Sequence, residues 1–483
     1  MLPEQKKSSI AHLSWPRIMV RQSEHYKKFR TLGRMMKRRA QYTMRLVMTA
    51  ILVTAPAAAC MGQISLTTAV DLALKNDPRV KMARASVSKA EAVLSEARDV
   101  YIPNVGVKGG YGASTGVPLS VPVVFSLASD SLLFNFSQRD NVRAANDGLK
   151  AAQLSLLDIQ QQTSEDVVET YLNLDNAELR HAAMIEESTY AGRLVAIVQE
   201  RLDAGQDTRM ELLKARRTAA QIKLAALNNE DEIAGLREHL GRLLGLPSDQ
   251  LATVADSIPP MPAIDTLRAA TTDSLGVQSS FAVALSKQEQ AFGESRYSYR
   301  PQVGFGANYS RISTTHTNYT LYYPGFAQQH SDNALSVGIE ITIPILDYEH
   351  RAHARESEAD ALHAMAEAES NRIQFLEGRS KLQRNVQELG VKHEIAGLNR
   401  DIAQEQLDTI LLQLNSSSSD SSNVMTPKDE QNARLQERQH FVDMLTADEE
   451  LNQAEVSLMR QTGILGDWLQ KAIAVQMPAN ATH

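Results

Sequence analysis

Hydrophobic residues recur along this chain with two different periods. Leu212, Ala215, Ala219, Ile222, Ala226, Asn229, Ile233, Leu236, Leu240 and Leu243 follow one another at alternating steps of three and four. Such a heptad seam, more than four heptads long, predicts a helix packed lengthwise on another helix. Its alanines let the partner approach closely. A second seam runs Met444, Ala447, Leu451, Ala454, Leu458, Gln461, Leu465, Trp468. Proline is absent between Pro122 and Pro247 and again between Pro344 and Pro427. Because proline breaks helix interiors, these gaps permit very long helices. They are filled with Ala, Leu, Gln, Glu, Arg and Lys, the strong helix formers. Residues 138–203 hold only Gly148 and Gly192 as glycines, and as one helix they would extend about 100 Å.

The other period is two. Leu335, Val337, Ile339, Ile341 and Ile343 alternate with Ser336, Gly338, Glu340 and Thr342, and Val303, Phe305, Ala307 and Tyr309 alternate with Gly304, Gly306, Asn308 and Ser310. Val105 and Val107 lead to Tyr111 in the same way. Ser131 to Phe136 give a less regular fourth stretch, with Leu132, Phe134 and Phe136 read on one face. Fifteen of the 25 aromatic residues fall in 101–136 and 292–348, the windows that hold these strands. A half-buried sheet and a membrane barrel both produce such alternation. Strand length near that needed to cross a bilayer favours the barrel. So does the long polar, aromatic-rich connection 317–333. Four strands close no membrane barrel, and an open edge in lipid leaves backbone groups unpaired. The chain is therefore expected to oligomerise: two copies give eight strands, three give twelve.

The sequence also repeats itself. Glu96 to Tyr111 and Glu294 to Tyr309 are identical at seven of sixteen positions with a constant offset of 198. Each copy follows an Ala-rich helical segment and precedes a strand pair and a long proline-free region. The expected organisation is a leader at 1–59, a first repeat at 60–245, a proline-rich linker at 246–265, a second repeat at 266–475 and a tail at 476–483.

The leader differs in charge from the body. Residues 1–59 hold twelve Lys/Arg and two Asp/Glu, whereas the remainder holds 38 basic and 55 acidic residues. That acidic body argues against a nucleic-acid partner. An apolar run, Leu46 to Ala59, follows Lys37-Arg38-Arg39 and Arg45 and ends in small residues before Cys60. This is the layout of a secretory signal peptide, too short to span a membrane. Its basic region is unusually long, which suggests a translation start at Met36 or Met44. Cys60, the sole cysteine, permits no intramolecular disulfide. It is either lipidated at the mature N-terminus or incidental to ordinary cleavage.

Order and repetition together resemble the TolC-type outer-membrane efflux proteins over nearly all of residues 64–470. The opening helix Ile64 to Pro78 is similar to that family's. So are Tyr101-Ile102-Pro103 and Tyr299-Arg300-Pro301 before strands, the hairpin tip Arg201 to Gly205 with Glu211 to Arg216, and the strand exit Thr342 to Asp347. The resemblance implies a mainly α chain with a membrane β-barrel. It further implies a homotrimer sharing a 12-stranded barrel in outer-membrane lipid, continued by a periplasmic helical tunnel. It implies a passive channel, no active site, no cofactor, and work with a periplasmic adaptor and an inner-membrane pump. Acids near the tips are candidates for a gate: Glu211 in the first half and Asp429 in the second. The second tip departs from the pattern, with a Ser-rich insertion around Ser416 to Ser422. This is either a flexible spacer or an altered adaptor-docking surface. Glu340, on the polar face of its strand, is the candidate lumen-facing charge. His350, His353 and His363 near Glu349 read as solvated rather than metal-binding, and no nucleophile elbow, phosphate loop or zinc-protease motif is present. The alternative class is an exported coiled-coil scaffold or a periplasmic adaptor.

Overall fold

The computed structural model describes residues 62–110, 123–248, 251–263, 273–297, 300–312, 333–415 and 425–476. The leader, Cys60, Tyr111, Tyr299, most of the 317–333 connection and the Ser-rich insertion lie outside them.

The first half begins with a short strand β1 (Gly62–Ile64) and helices α1 (Leu66–Asn76) and α2 (Pro78–Asp99). Strands β2 (Asn104–Gly109) and β3 (Val123–Phe134) follow. A hairpin of α3 (Phe136–Asp203) and α4 (Arg209–Leu244) completes it. Strand β4 (Leu251–Thr253) and a 3-10 turn lie between the halves. The second half runs α5 (Leu275–Tyr297), β5 (Gln302–Ile312), β6 (Asn333–Thr342), α6 (Tyr348–Asn415), α7 (Pro427–Thr462) and α8 (Leu465–Gln476). Both hairpins have arms of 68 and 36 residues. Strands β2 and β5 start 198 residues apart, the offset read from the sequence.

Local chemistry sets the boundaries. Asp77 caps α2, accepting from the Arg79 N–H at 2.7 Å, with Pro78 at the first helical position, where its missing donor costs nothing. Asn135 caps α3 through the Ser137 N–H at 2.8 Å. That cap corrects one sequence expectation: Phe136 opens the helix instead of closing the strand. Gly245 and Gly463 stop α4 and α7 in the left-handed conformation, at φ 71° and 78°, where a side chain is disfavoured. The seam drawn from Met444 to Trp468 therefore crosses a break, and Leu465 and Trp468 belong to α8.

Four strands form one antiparallel sheet in the order β2-β3-β5-β6. Residues opposite one another share a face. Val107, Leu127, Tyr309 and Leu335 align across one side; Asp130 with Gly306, Asn308 with Ser336, and Gly304 with Glu340 align on the other. A register shift between Leu132 and Phe134 sets Phe134 opposite Val303 on the apolar side, leaving Leu132 opposite Gly304 on the polar side. The two residues thus lie on different faces, against the expectation that they share one. The described residues hold six strands rather than four. The additional pair, β1 and β4, is a parallel two-stranded sheet of its own, and three-residue strands leave no period to read. The segment expected to be a linker is accordingly ordered from Leu251 to Ala263 and packed. The Tyr171 hydroxyl, 1% exposed as a residue, accepts from the Val254 N–H at 2.6 Å and lies 2.8 Å from the Ile64 carbonyl oxygen.

The long helices serve as spines. The upper part of α3 packs against α2 and α5, its lower part against α4 and α7, and α6 lies beyond α5 and α7. Helix α5 approaches α3 so closely that a Cβ at Gly293 would meet Asn141 Oδ1 at 2.8 Å. At the waist, Leu66, Tyr171, Leu174, Leu244, Val386, Leu458, Met459 and Trp468 form the main core. Burying each large side chain contributes about 1.5–3 kcal/mol. A second cluster toward the tip joins Leu194 and Val198 to Leu212, Ile222 and Leu435. Seam positions Leu212, Ala215, Ile222, Asn229, Ile233, Leu240 and Leu243 are all buried.

Candidate functional site: the hairpin tips and the sheet's polar face

The tip of the first hairpin turns through Gly205 at φ 74°. Thr208 caps α4 by accepting from the Glu211 N–H at 3.3 Å, which fixes Glu211 in the first turn. A negative side chain is stabilised there by the helix dipole. Thr426 and Asp429 open α7 with a capping box. The Thr426 N–H donates to Asp429 Oδ2 at 2.9 Å and its hydroxyl to the same oxygen at 2.6 Å.

Lys428 joins the two tips. Its Nζ lies 3.4 Å from Asp207 Oδ2 and 3.3 Å from Glu211 Oε2. Arg201 holds Asp207 from the other side at 3.1 Å, and Lys214 reaches Glu211 at 3.0 Å. Desolvation pushes the Asp207 carboxyl up, but hydrogen bonds from Arg201 and Lys428 outweigh it and hold the group below the usual carboxylate range. Hydrogen bonds from Lys214 and Lys428 lower Glu211 as well. The structure thus places Glu211 inside a mixed-charge clasp and Asp429 beside it as a capping residue. Asp207 and Lys428, the clasp's other members, were not singled out in the sequence. Only the proximity of two tips separated by more than two hundred residues reveals them.

Farther up the α3–α7 contact lie acids that the sequence reading also missed. Glu187 and Glu455 are each 5% exposed. Burial, reinforced by Asp443 beside Glu187 and by Asp448 beside Glu455, pushes both up to about 7. Burial likewise raises Glu169 to about 7, opposed by a hydrogen bond from Ser457. A signal existed for Glu187: it occupies a seam position between Ala183 and Ala191, where an apolar residue is expected.

On the sheet, Glu340 stands opposite Gly304. Together with Asn104, Asp130, Asn308 and Ser336 it lines a groove of about 880 Å³. The opposite face is mainly apolar, interrupted by Ser129 and Ser131: Val105, Val107, Leu335, Val337, Ile339 and Ile341 are each more than 60% exposed. His350 Nε2 lies 3.1 Å from Glu294, and its ring packs on Tyr297. His353 and His363 pair with glutamates on their own helix. Among the described residues no group of three His, Cys, Asp or Glu is arranged to hold a metal. No described helix is long and apolar enough to cross a membrane.

An amphipathic sheet mounted on two long helical hairpins, with a charged clasp at the hairpin tips, defines a distinct structural class of chain. Within that class, residues 69–246 match the model of the Outer membrane efflux protein family, and the resemblance to the TolC-type efflux proteins is borne out. One curated relative is outer membrane efflux protein BepC of Brucella suis biovar 1 (strain 1330), 24% identical over 291 residues, which cover 58% of this chain and 60% of that protein. The match therefore spans less than two thirds of the relative's length. The fold matches the outer membrane protein VceC of Vibrio cholerae with a TM-score of 0.64 and 16% identity, covering 82% of this chain and 96% of that one. It also matches the CmeC outer membrane channel of Campylobacter jejuni with a TM-score of 0.65 and 17% identity, over 83% and 86% of the two chains.

Proposed function

We propose that this chain is one protomer of a homotrimeric outer-membrane channel-tunnel, the passive exit duct of a tripartite efflux or type I secretion system. The observation that carries this reading is the four-stranded sheet, with one mainly apolar and one polar face and with β2 and β6 as edges that no other described strand of the chain pairs. In lipid such edges must be closed by other copies, and three copies supply twelve strands. The helical layer supports the same closure. Val391, Ile395, Leu398 and Ile402 form an exposed 4-3-4 stripe on α6. Met210, Leu213, Leu224 and Leu227 form another on the outer side of α4. Coiled-coil packing of one stripe on its neighbour's counterpart would continue the barrel into a periplasmic tunnel.

In this reading the polar face with Glu340 lines the lumen, and the apolar face meets lipid. The clasp of Lys428, Asp207 and Glu211 holds the tips together, so the gate joins Glu211 to a cation, with Asp429 capping the adjoining helix. Efflux by the curated relative and the family's adaptor and pump partners extend to this chain as part of the same proposal. The test is single-channel conductance of detergent-extracted protein in a planar bilayer, with its mass measured in parallel. Trimers giving small, cation-selective currents are expected. Soluble protein without conductance would overturn the proposal in favour of an exported scaffold.

A further inference from the structure

The helix-proximal rim of the sheet carries an arrangement that the duct function does not use. Each long helix opens with an aromatic residue and places an arginine one turn later: Phe136 and Arg139 on α3, Tyr348 and Arg351 on α6. The Arg139 guanidinium lies 6.0 Å from the Phe134 ring centre, and that of Arg351 lies 5.5 Å from Tyr348. Arg300, two residues before β5, sits 4.4 Å over Phe136. Phe134 and Phe136 pack edge to face at 4.7 Å. The bulge that turns Phe134 onto the apolar face sets this cluster where that face ends.

The neighbouring arginines differ. Arg296 grips both oxygens of buried Asp140, and Arg143 reaches the same carboxylate. Among the described residues, Arg139 and Arg300 have no carboxylate partner, and both are exposed. A guanidinium stacked on a ring keeps its N–H edge available, and that edge matches phosphate oxygens in a bidentate way. At the end of a hydrocarbon-facing band, the anions at hand are headgroup phosphates.

We propose that Arg139 and Arg300, braced by Phe134 and Phe136, bind the phosphate of phospholipid headgroups in the periplasm-facing leaflet. This rests on the reading of the sheet as a barrel wall. The test is native mass spectrometry of the detergent-extracted assembly titrated with phosphatidylglycerol, with diacylglycerol of the same chains, and with inorganic phosphate. Phosphatidylglycerol adducts are expected, with few from either control. A juxtamembrane basic residue is worth about fivefold in affinity. The R139Q/R300Q variant should therefore bind about twenty-five-fold more weakly, and the corresponding Lys variant, which keeps the charge but loses the paired N–H fork, should fall between it and the wild type. Equal phospholipid binding by the Gln variant, or equal binding of diacylglycerol or inorganic phosphate, would overturn the proposal. Conductance measured on the same samples separates the two readings. A conducting channel with unaltered lipid binding sinks only the arginine rim, whereas protein that never inserts sinks the barrel.

Discussion

Raising the pH should loosen the α3–α7 contact at two defined points, Glu187 and Glu455. Each carboxyl titrates near 4.5 when unfolded and at about 7 in the fold, because burial disfavours its charge. Glu187 faces Asp443 across the contact, with the Arg438–Glu186 pair and the His440–Asp443 pair nearby. Glu455 faces Asp448, which His393 approaches from α6. The sign follows from the raised values. The folded state holds a proton that the unfolded state has released. The stabilisation is complete below pH 4.5 and disappears as pH climbs through about 7. A shift of this size corresponds to about 3 kcal/mol per group. Between pH 5.5 and 8.5 roughly 2 kcal/mol of it is lost, or about thirtyfold in the local opening equilibrium. Hydrogen exchange of segments 180–194 and 440–456, corrected for intrinsic exchange rates, measures this directly. The E187Q/E455Q variant keeps the shape without the charge, so its protection should be flat across the same range. If wild type and variant respond alike to pH, the assignment of the effect to these carboxyls is refuted.

Other consequences can be checked separately. Tyr171→Phe leaves the Val254 N–H and the Ile64 carbonyl oxygen without the hydroxyl that now serves them. It should cost about 1–3 kcal/mol, read by denaturant unfolding, and a change under 0.5 kcal/mol would remove Tyr171 as the anchor of the β1–β4 pair. Lys428→Met removes the cation shared by Asp207 and Glu211. Longer or larger open events are expected in planar bilayers, and unchanged gating would argue against the clasp. Glu340→Lys reverses a charge on the sheet's polar face and should shift selectivity toward anions; unaltered reversal potentials would place Glu340 outside the lumen.

Much of this architecture was legible in the sequence because its determinants are local. The 3-4 spacing from Leu212 to Leu243 specifies a helix and its buried face wherever that helix lies. Alternation from Leu335 to Ile341 specifies a strand with unlike faces, and the proline-free runs specify the long arms. The 198-residue offset relates the two halves through sequence alone, with no knowledge of how they pack. What the sequence left open depends on distance in space. The partners of Glu211 were unreadable because Lys428 comes near only when two hairpins of matching length bring their tips level. The parallel pairing of Gly62–Ile64 with Leu251–Thr253 has no period of its own, and the buried Tyr171 hydroxyl fixes it in place. Phe134 changes face because one register shift against β5 rotates it there. Asn135 ends the strand by side-chain capping, which hydrophobic pattern alone does not report. Sequence thus determined the elements and their buried faces, since these follow from neighbours along the chain. The tertiary structure decided which charges meet and which are buried together, since electrostatic pairing and desolvation are set by proximity in space.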